Sequence, residues 1–147
     1  MNAAKALDKA IRKEIEAHTL YTSVARKMDD PAARGLLTEL AEEEVRHRVM
    51  LEDLPKDQAA SFKPPQGRSR SVASYLTSRP LRQDSNLQQV LVYAMKREDE
   101  ARAFYQTMAR AAANGDLRVF LEKLSAMEDS HKARLEILYE DVFLQED

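Results

Sequence analysis

Shifted by 84 positions, the sequence overlays itself without a gap. KEIEAHTLYTSVA at 13–25 falls on REDEARAFYQTMA at 97–109, which sets Glu14, Glu16, Ala17, Tyr21 and Ala25 on identical residues. The same shift places Leu37, Leu40, Glu44, His47, Leu51 and Glu52 on Leu121, Leu124, Glu128, His131, Leu135 and Glu136. A chain that repeats itself at a fixed period builds like units, so whatever the first half forms the second must form again.

Each half reads as two helices, because apolar residues recur in alternating steps of three and four. The expected helices cover about 3–28, 31–54, 86–113 and 116–143. The first carries a seam of Leu7, Ile11, Glu14, Ala17 or His18, Tyr21, Ala25 and Met28. The second uses Leu37, Leu40, Glu44, His47, Leu51 and Leu54, and the third Leu87, Leu91, Ala94, Glu98, Ala101, Tyr105, Met108 and Ala112. The fourth uses Leu117, Leu121, Leu124, Glu128, His131, Leu135, Leu138 and Val142. Asp29-Asp30-Pro31 ends the first helix and starts the second, since proline suits a first helical position. Asn114-Gly115 is expected to supply a left-handed stop. Two helical hairpins with such seams make an all-α protein, a four-helix bundle.

The pattern fails between Pro55 and Ser85, apart from a short patch at Val72–Leu76 that reads as one or two helical turns. A tight hairpin needs only about 2–8 residues, so residues 55–85 form a long crossover. Six basic residues (Lys56, Lys63, Arg68, Arg70, Arg79, Arg82) face only Asp57 and Asp84 there, leaving the remainder of the chain at −6. The segment reads as a solvated connector, with a phosphate or an acidic partner as the alternative use.

A length of 147 residues suits one domain, 1–147, with one core. The net charge of −2 points to neither nucleic acid nor an anionic membrane. The absence of cysteine excludes thiol catalysis, thiolate metal sites and iron–sulfur clusters. No run approaches the roughly 20 apolar residues of a membrane span, and MNAAKALDKAIRKEIEA lacks the apolar stretch of a signal peptide. A soluble, cytoplasmic protein is the expectation.

Near the middle of every seam a glutamate occupies an apolar place. Glu14 and Glu44 are each 15 residues from the turn at Asp29, and Glu98 and Glu128 are each 15 from Ala113. In antiparallel helices rising about 1.5 Å per residue each pair shares a level, and the symmetry of the repeat brings all four carboxylates into one layer. His47 and His131 follow Glu44 and Glu128 at i+3, on the same helical faces. Unpaired, the acids would each cost several kcal/mol in desolvation, and no lysine or arginine lies on the seams at that level. Two divalent cations would balance four carboxylates with both histidines neutral. Carboxylate and imidazole donors suit iron or manganese best, with zinc as a substitute. One Glu-x-x-His is ordinary surface charge; two, each matched by a seam glutamate, give half a dinuclear site per hairpin. The bland alternative is a pair of acidic stripes facing solvent, and it leaves unexplained why apolar residues bracket each glutamate.

Tyr21 and Tyr105 share the faces of Glu14 and Glu98, seven residues on. They suit a hydrogen bond to a metal-bound carboxylate of the neighbouring hairpin, or serve as core tyrosines. His18 aligns with Arg102, which cannot bind metal, so a flanking place is expected. Glu16, Glu100, Glu42, Glu43 and Asp129 are expected in solvent.

With these residues in place the sequence resembles the ferritin-like superfamily and, within it, the rubrerythrin-like branch. The resemblance rests on Glu14-x-x-Ala17-x-x-x-Tyr21, Leu40-Ala41-x-x-Glu44-x-x-His47, Glu98-x-x-Ala101-x-x-x-Tyr105 and Met127-Glu128-x-x-His131. It implies a ferritin-like bundle and a non-haem di-iron oxidoreductase that meets hydrogen peroxide or O2, in peroxidase or ferroxidase chemistry. It implies Glu44 and Glu128 as bridges, Glu14 and Glu98 as terminal ligands, and one histidine on each side. Such bundles usually pair through a helix face, so a homodimer is expected. Full-length rubrerythrins carry a rubredoxin-type iron site with four cysteines; this chain has none, so an external electron donor is expected. They also usually place a glutamate three residues after the third-helix ligand, where Ala101 stands here, which leaves the six-ligand ferritin-like form. Iron storage or delivery, a dimanganese catalase and a purely structural bundle are the competing functions.

Overall fold

The structure is a computed structural model that describes residues 1–67, 69–79, 81–82 and 84–144. Six helices account for the regular structure among them: α1 (Ala3–Lys27), α2 (Pro31–Glu52), α3 (Lys56–Ala60), α4 (Arg70–Thr77), α5 (Leu87–Ala111) and α6 (Gly115–Phe143). The four long helices lie within two residues of their expected bounds. They fall in two compact units, Met1–Pro64 with Ala111–Leu117, and Pro65–Arg110 with Arg118–Asp147.

In the first unit α1 and α2 fold back on each other. Asn2 caps α1, its side-chain oxygen accepting from the Lys5 amide at 2.8 Å. The turn is closed from both sides. Asp30 caps α2 through the Ala33 amide at 3.0 Å, with Pro31 in the first turn. Arg34 donates from Nε and Nη2 to the Met28 carbonyl at 3.0 and 2.7 Å, which satisfies an orphan acceptor at the end of α1. Farther along, His18 donates from Nδ1 to the Ala41 carbonyl at 3.2 Å and ties the two helices together. α3 packs on α1, and Phe62 just after it is fully buried.

Two expectations fail in this unit. Leu7 and Ile11 are only half-buried, while Ala3, Ala6 and Ala10 enter the core in their place. Small side chains on that stripe allow a neighbouring backbone to come close, so the buried face of α1 begins one position earlier than the larger apolar residues suggest. Gly115 is the other case. Gly67 is the one glycine with a positive φ, at 87°, so Gly115 makes no left-handed stop. Asn114 instead caps α6, accepting from the Leu117 amide at 3.0 Å, and its amide donates to Asp57 of α3 at 3.2 Å.

In the second unit α5 starts with a reciprocal cap. The Gln89 amide donates to Asn86 Oδ1 at 2.8 Å, and the Asn86 amide donates to Gln89 Oε1 at 2.9 Å. α5 and α6 are joined by Ser125 Oγ donating to the Arg102 carbonyl at 3.0 Å and by Gln88 Nε2 donating to the Tyr139 hydroxyl at 2.8 Å. The Val72–Leu76 patch is the middle of α4, with Val72, Tyr75 and Leu76 buried. Tyr75 is fully buried against α5, its ring 4.8 Å from Phe104 and 6.1 Å from Tyr105, centre to centre. Ser71 and Thr107 share a 2.6 Å hydrogen bond on the same contact. The crossover is therefore not a bare connector: it contributes α3, Phe62 and α4. Leu87 is half-buried and Val142 is 42% exposed, so the outer ends of these seams fray into solvent.

Candidate metal centre

Each unit buries one trio of ligand-type side chains. In the first, Glu14 stands on α1 and Glu44 and His47 on α2, with exposures of 0%, 0% and 2%. His47 Nδ1 lies 3.7 Å from Glu14 Oε2 and 3.6 Å from Glu44 Oε1. In the second, Glu98 stands on α5 and Glu128 and His131 on α6, all three at 0% exposure. His131 Nδ1 is 3.6 Å from Glu98 Oε2, and the Glu98 and Glu128 carboxyl groups interact directly. The i,i+3 step on α2 and α6 puts glutamate and histidine one above the other on the buried face, and the hairpin brings the partner glutamate to them.

These separations suit a metal. Two donor atoms about 2.1 Å from one ion can stand at most about 4.2 Å apart. The donor set, two carboxylates and an imidazole per trio without sulfur, is that of iron or manganese, with zinc able to replace them. Where the residues fit an ion, three anionic or neutral donors replace its water shell and the ion offsets their desolvation.

Two bases off the seams are nonetheless buried, and one of them, Arg97, acts on Glu98. Arg97 is 4% exposed and Lys13 7%. They stand immediately before Glu98 and Glu14 and occupy equivalent places in the repeat, 84 residues apart. Hydrophobic patterning misses such residues because it assigns a charged side chain to solvent, whereas a long aliphatic stem can be buried along apolar surface. The repeat itself held the signal, since a base precedes the ligand in both halves. Lys13 reaches Glu16 at 3.5 Å, at the solvent edge. Arg97 sits with its guanidinium carbon 5.9 Å from the centre of the Tyr75 ring. Burial pushes the Glu98 carboxyl up, but its polar contacts with His131 and Glu128 and the positive charge of Arg97 outweigh it and hold the group below its ordinary range.

Tyr21 and Tyr105 are both buried, at 1% and 0% exposure. Glu16, Glu42 and Asp129 are exposed and Glu43 and Glu100 half-buried, so none joins a trio. Tyr75, from the non-repeating crossover, had no counterpart that could have marked it.

A scan of family models matches the rubrerythrin family over residues 5–139. The chain belongs to the rubrerythrin family. The fold agrees with a candidate ferritin-like diiron-carboxylate protein from Thermotoga maritima, which superposes with a TM-score of 0.70 over 97% of each chain at 21% identity. A comparison with curated proteins returned no significant match. A rubrerythrin-family sequence on a ferritin-like helical bundle, with buried glutamate and histidine trios, fits a di-iron protein. Among the described residues no helix is long and apolar enough to cross a membrane.

Proposed function

We propose that residues 1–147 act as one di-metal domain in which the two trios hold a pair of iron ions and reduce hydrogen peroxide or O2. The observation that carries this reading is the burial of Glu14, Glu44 and His47, and again of Glu98, Glu128 and His131, at equivalent places of the repeat. Glu14, Glu44 and His47, together with Glu98, Glu128 and His131, would hold the ions. Iron bound there supplies two electrons to the oxidant. The protein's own part is to hold the donors in place, keep bulk water out, and leave a position open for the oxidant. Tyr21 and Tyr105, sharing the ligand faces, would orient a ligand carboxylate by hydrogen bonding. An electron donor other than this site restores the electrons. A cytoplasmic homodimer is the proposed working form.

Metal analysis of protein purified from its native host, followed by single-turnover oxidation, tests the reading. About two iron ions per chain and faster oxidation by peroxide than by O2 are expected. A rate with peroxide no higher than with O2 removes the peroxidase assignment, and manganese in place of iron redirects it to catalase chemistry.

A further inference from the structure

A cleft of about 540 Å³ opens between α4, the segment after it and the first half of α5. Four cations line it, Arg79, Arg82, Lys96 and Arg97, against one carboxylate, Glu100. In a chain of net charge −2 this is a concentration of positive charge. Arg79, Arg82 and Lys96 are exposed, and exposed bases by themselves are ordinary surface. Arg97 is not: it is 4% exposed and held over the Tyr75 ring, so one guanidinium of the cleft wall is fixed in orientation and shielded from water. Arg82 is paired with Asp84 at 3.4 Å, but both side chains are at least 75% exposed, and a pair so solvated is readily exchanged for a better anion.

The remaining lining extends the same chemistry. Ser74, Ser78, Ser85 and Tyr93 bring hydroxyls, and Leu81 with the Tyr93 ring brings apolar surface. The Tyr93 hydroxyl donates to the Arg79 carbonyl at 3.3 Å, which anchors the segment after α4 to α5. Planar guanidinium forks match the oxygens of a phosphate, whose double negative charge suits several cations better than a carboxylate's single one. The volume exceeds what a bare phosphate fills and lies inside the range of small-molecule sites, about 300–1,000 Å³.

We propose that this cleft binds a small phosphomonoester, its phosphate held by Arg79, Lys96 and Arg97 and its organic part lying on Tyr93 and Leu81. Arg97 also acts on Glu98 of the second trio, whereas Arg79, Lys96, Tyr93 and Leu81 belong to neither trio. Calorimetric titration of the metal-loaded full chain with adenosine monophosphate, glycerol phosphate and inorganic phosphate tests it. At least one ester is expected to bind saturably below about 10 mM, a concentration that reveals even a millimolar Kd. K96Q and R79Q, both at exposed positions, are each expected to weaken that binding about tenfold, the loss of one charge-assisted contact. Binding that survives both substitutions lies at the metal or elsewhere and overturns the proposal. So does the absence of saturable binding by either ester, and so does inorganic phosphate binding as tightly as the esters, which would make this a free-phosphate site.

Discussion

The Arg97 guanidinium stands over the ring of Tyr75, 5.9 Å from its centre, so the crossover helix α4 touches the residue next to a candidate ligand. Tyr75 also meets Phe104 and, more distantly, Tyr105. Truncating a large buried aromatic leaves a cavity, and Tyr75→Ala is expected to cost about 3–5 kcal/mol. Urea unfolding measures it. A loss below about 0.5 kcal/mol, the range of ordinary surface substitutions, would show that α4 is a passive strap.

Metal should stabilise the fold, because the folded state alone presents the trios. At a free metal concentration of 100 times Kd the gain is about 2.7 kcal/mol, seen as a rise in Tm when Fe(II) is added anaerobically to chelator-treated protein. Glu44→Ala and Glu128→Ala are expected to abolish most of that rise and to lower the bound metal. Glu16→Gln, at an exposed position two residues from Glu14, is expected to leave both unchanged. An equal rise in the Glu44→Ala variant would mean that the metal binds elsewhere.

Acid should release the Asp99 cluster. Slight burial raises the Asp99 carboxyl, but Lys132 and Arg102, each hydrogen-bonded to it at 3.3 Å, hold it below its ordinary 3.8. A carboxyl held low in the folded state adds stability above its unfolded value and loses it as pH falls through the lower folded value. Asp99 is 46% exposed, so solvent screening limits the effect to under about 1 kcal/mol. Asp99→Asn should therefore be slightly less stable than the parent at pH 6, with the difference closing below pH 3.8. Urea midpoints across that range check it, and a difference that widens toward acid contradicts it.

Capping at the α5–α6 turn falls to Asn114. Asn114→Ala is expected to destabilise by about 1 kcal/mol, the usual loss for an N-cap. Gly115→Ala is expected to be neutral or stabilising by up to about 1 kcal/mol, since a Cβ there meets nothing within 4 Å and no positive φ is required. Thermal denaturation should show a loss for Asn114→Ala and none for Gly115→Ala. A marked loss at Gly115→Ala would restore the left-handed stop.

The sequence by itself determined the four long helices and the six glutamates and histidines of the two trios. Helical periodicity is local, and a charged residue on an apolar seam is visible wherever it occurs. The repeat of 84 residues then made one half vouch for the other. Only the tertiary structure decided that Ala6 and Ala10 are core while Leu7 is half-buried, because that depends on how closely a neighbouring element approaches. It also decided that Lys13 and Arg97 are buried, since a long stem lets a charge that periodicity assigns to water enter the interior. And it placed α3, α4 and Tyr75, whose segment lies outside the repeat and is stabilised by packing on its neighbours, not by a pattern of its own.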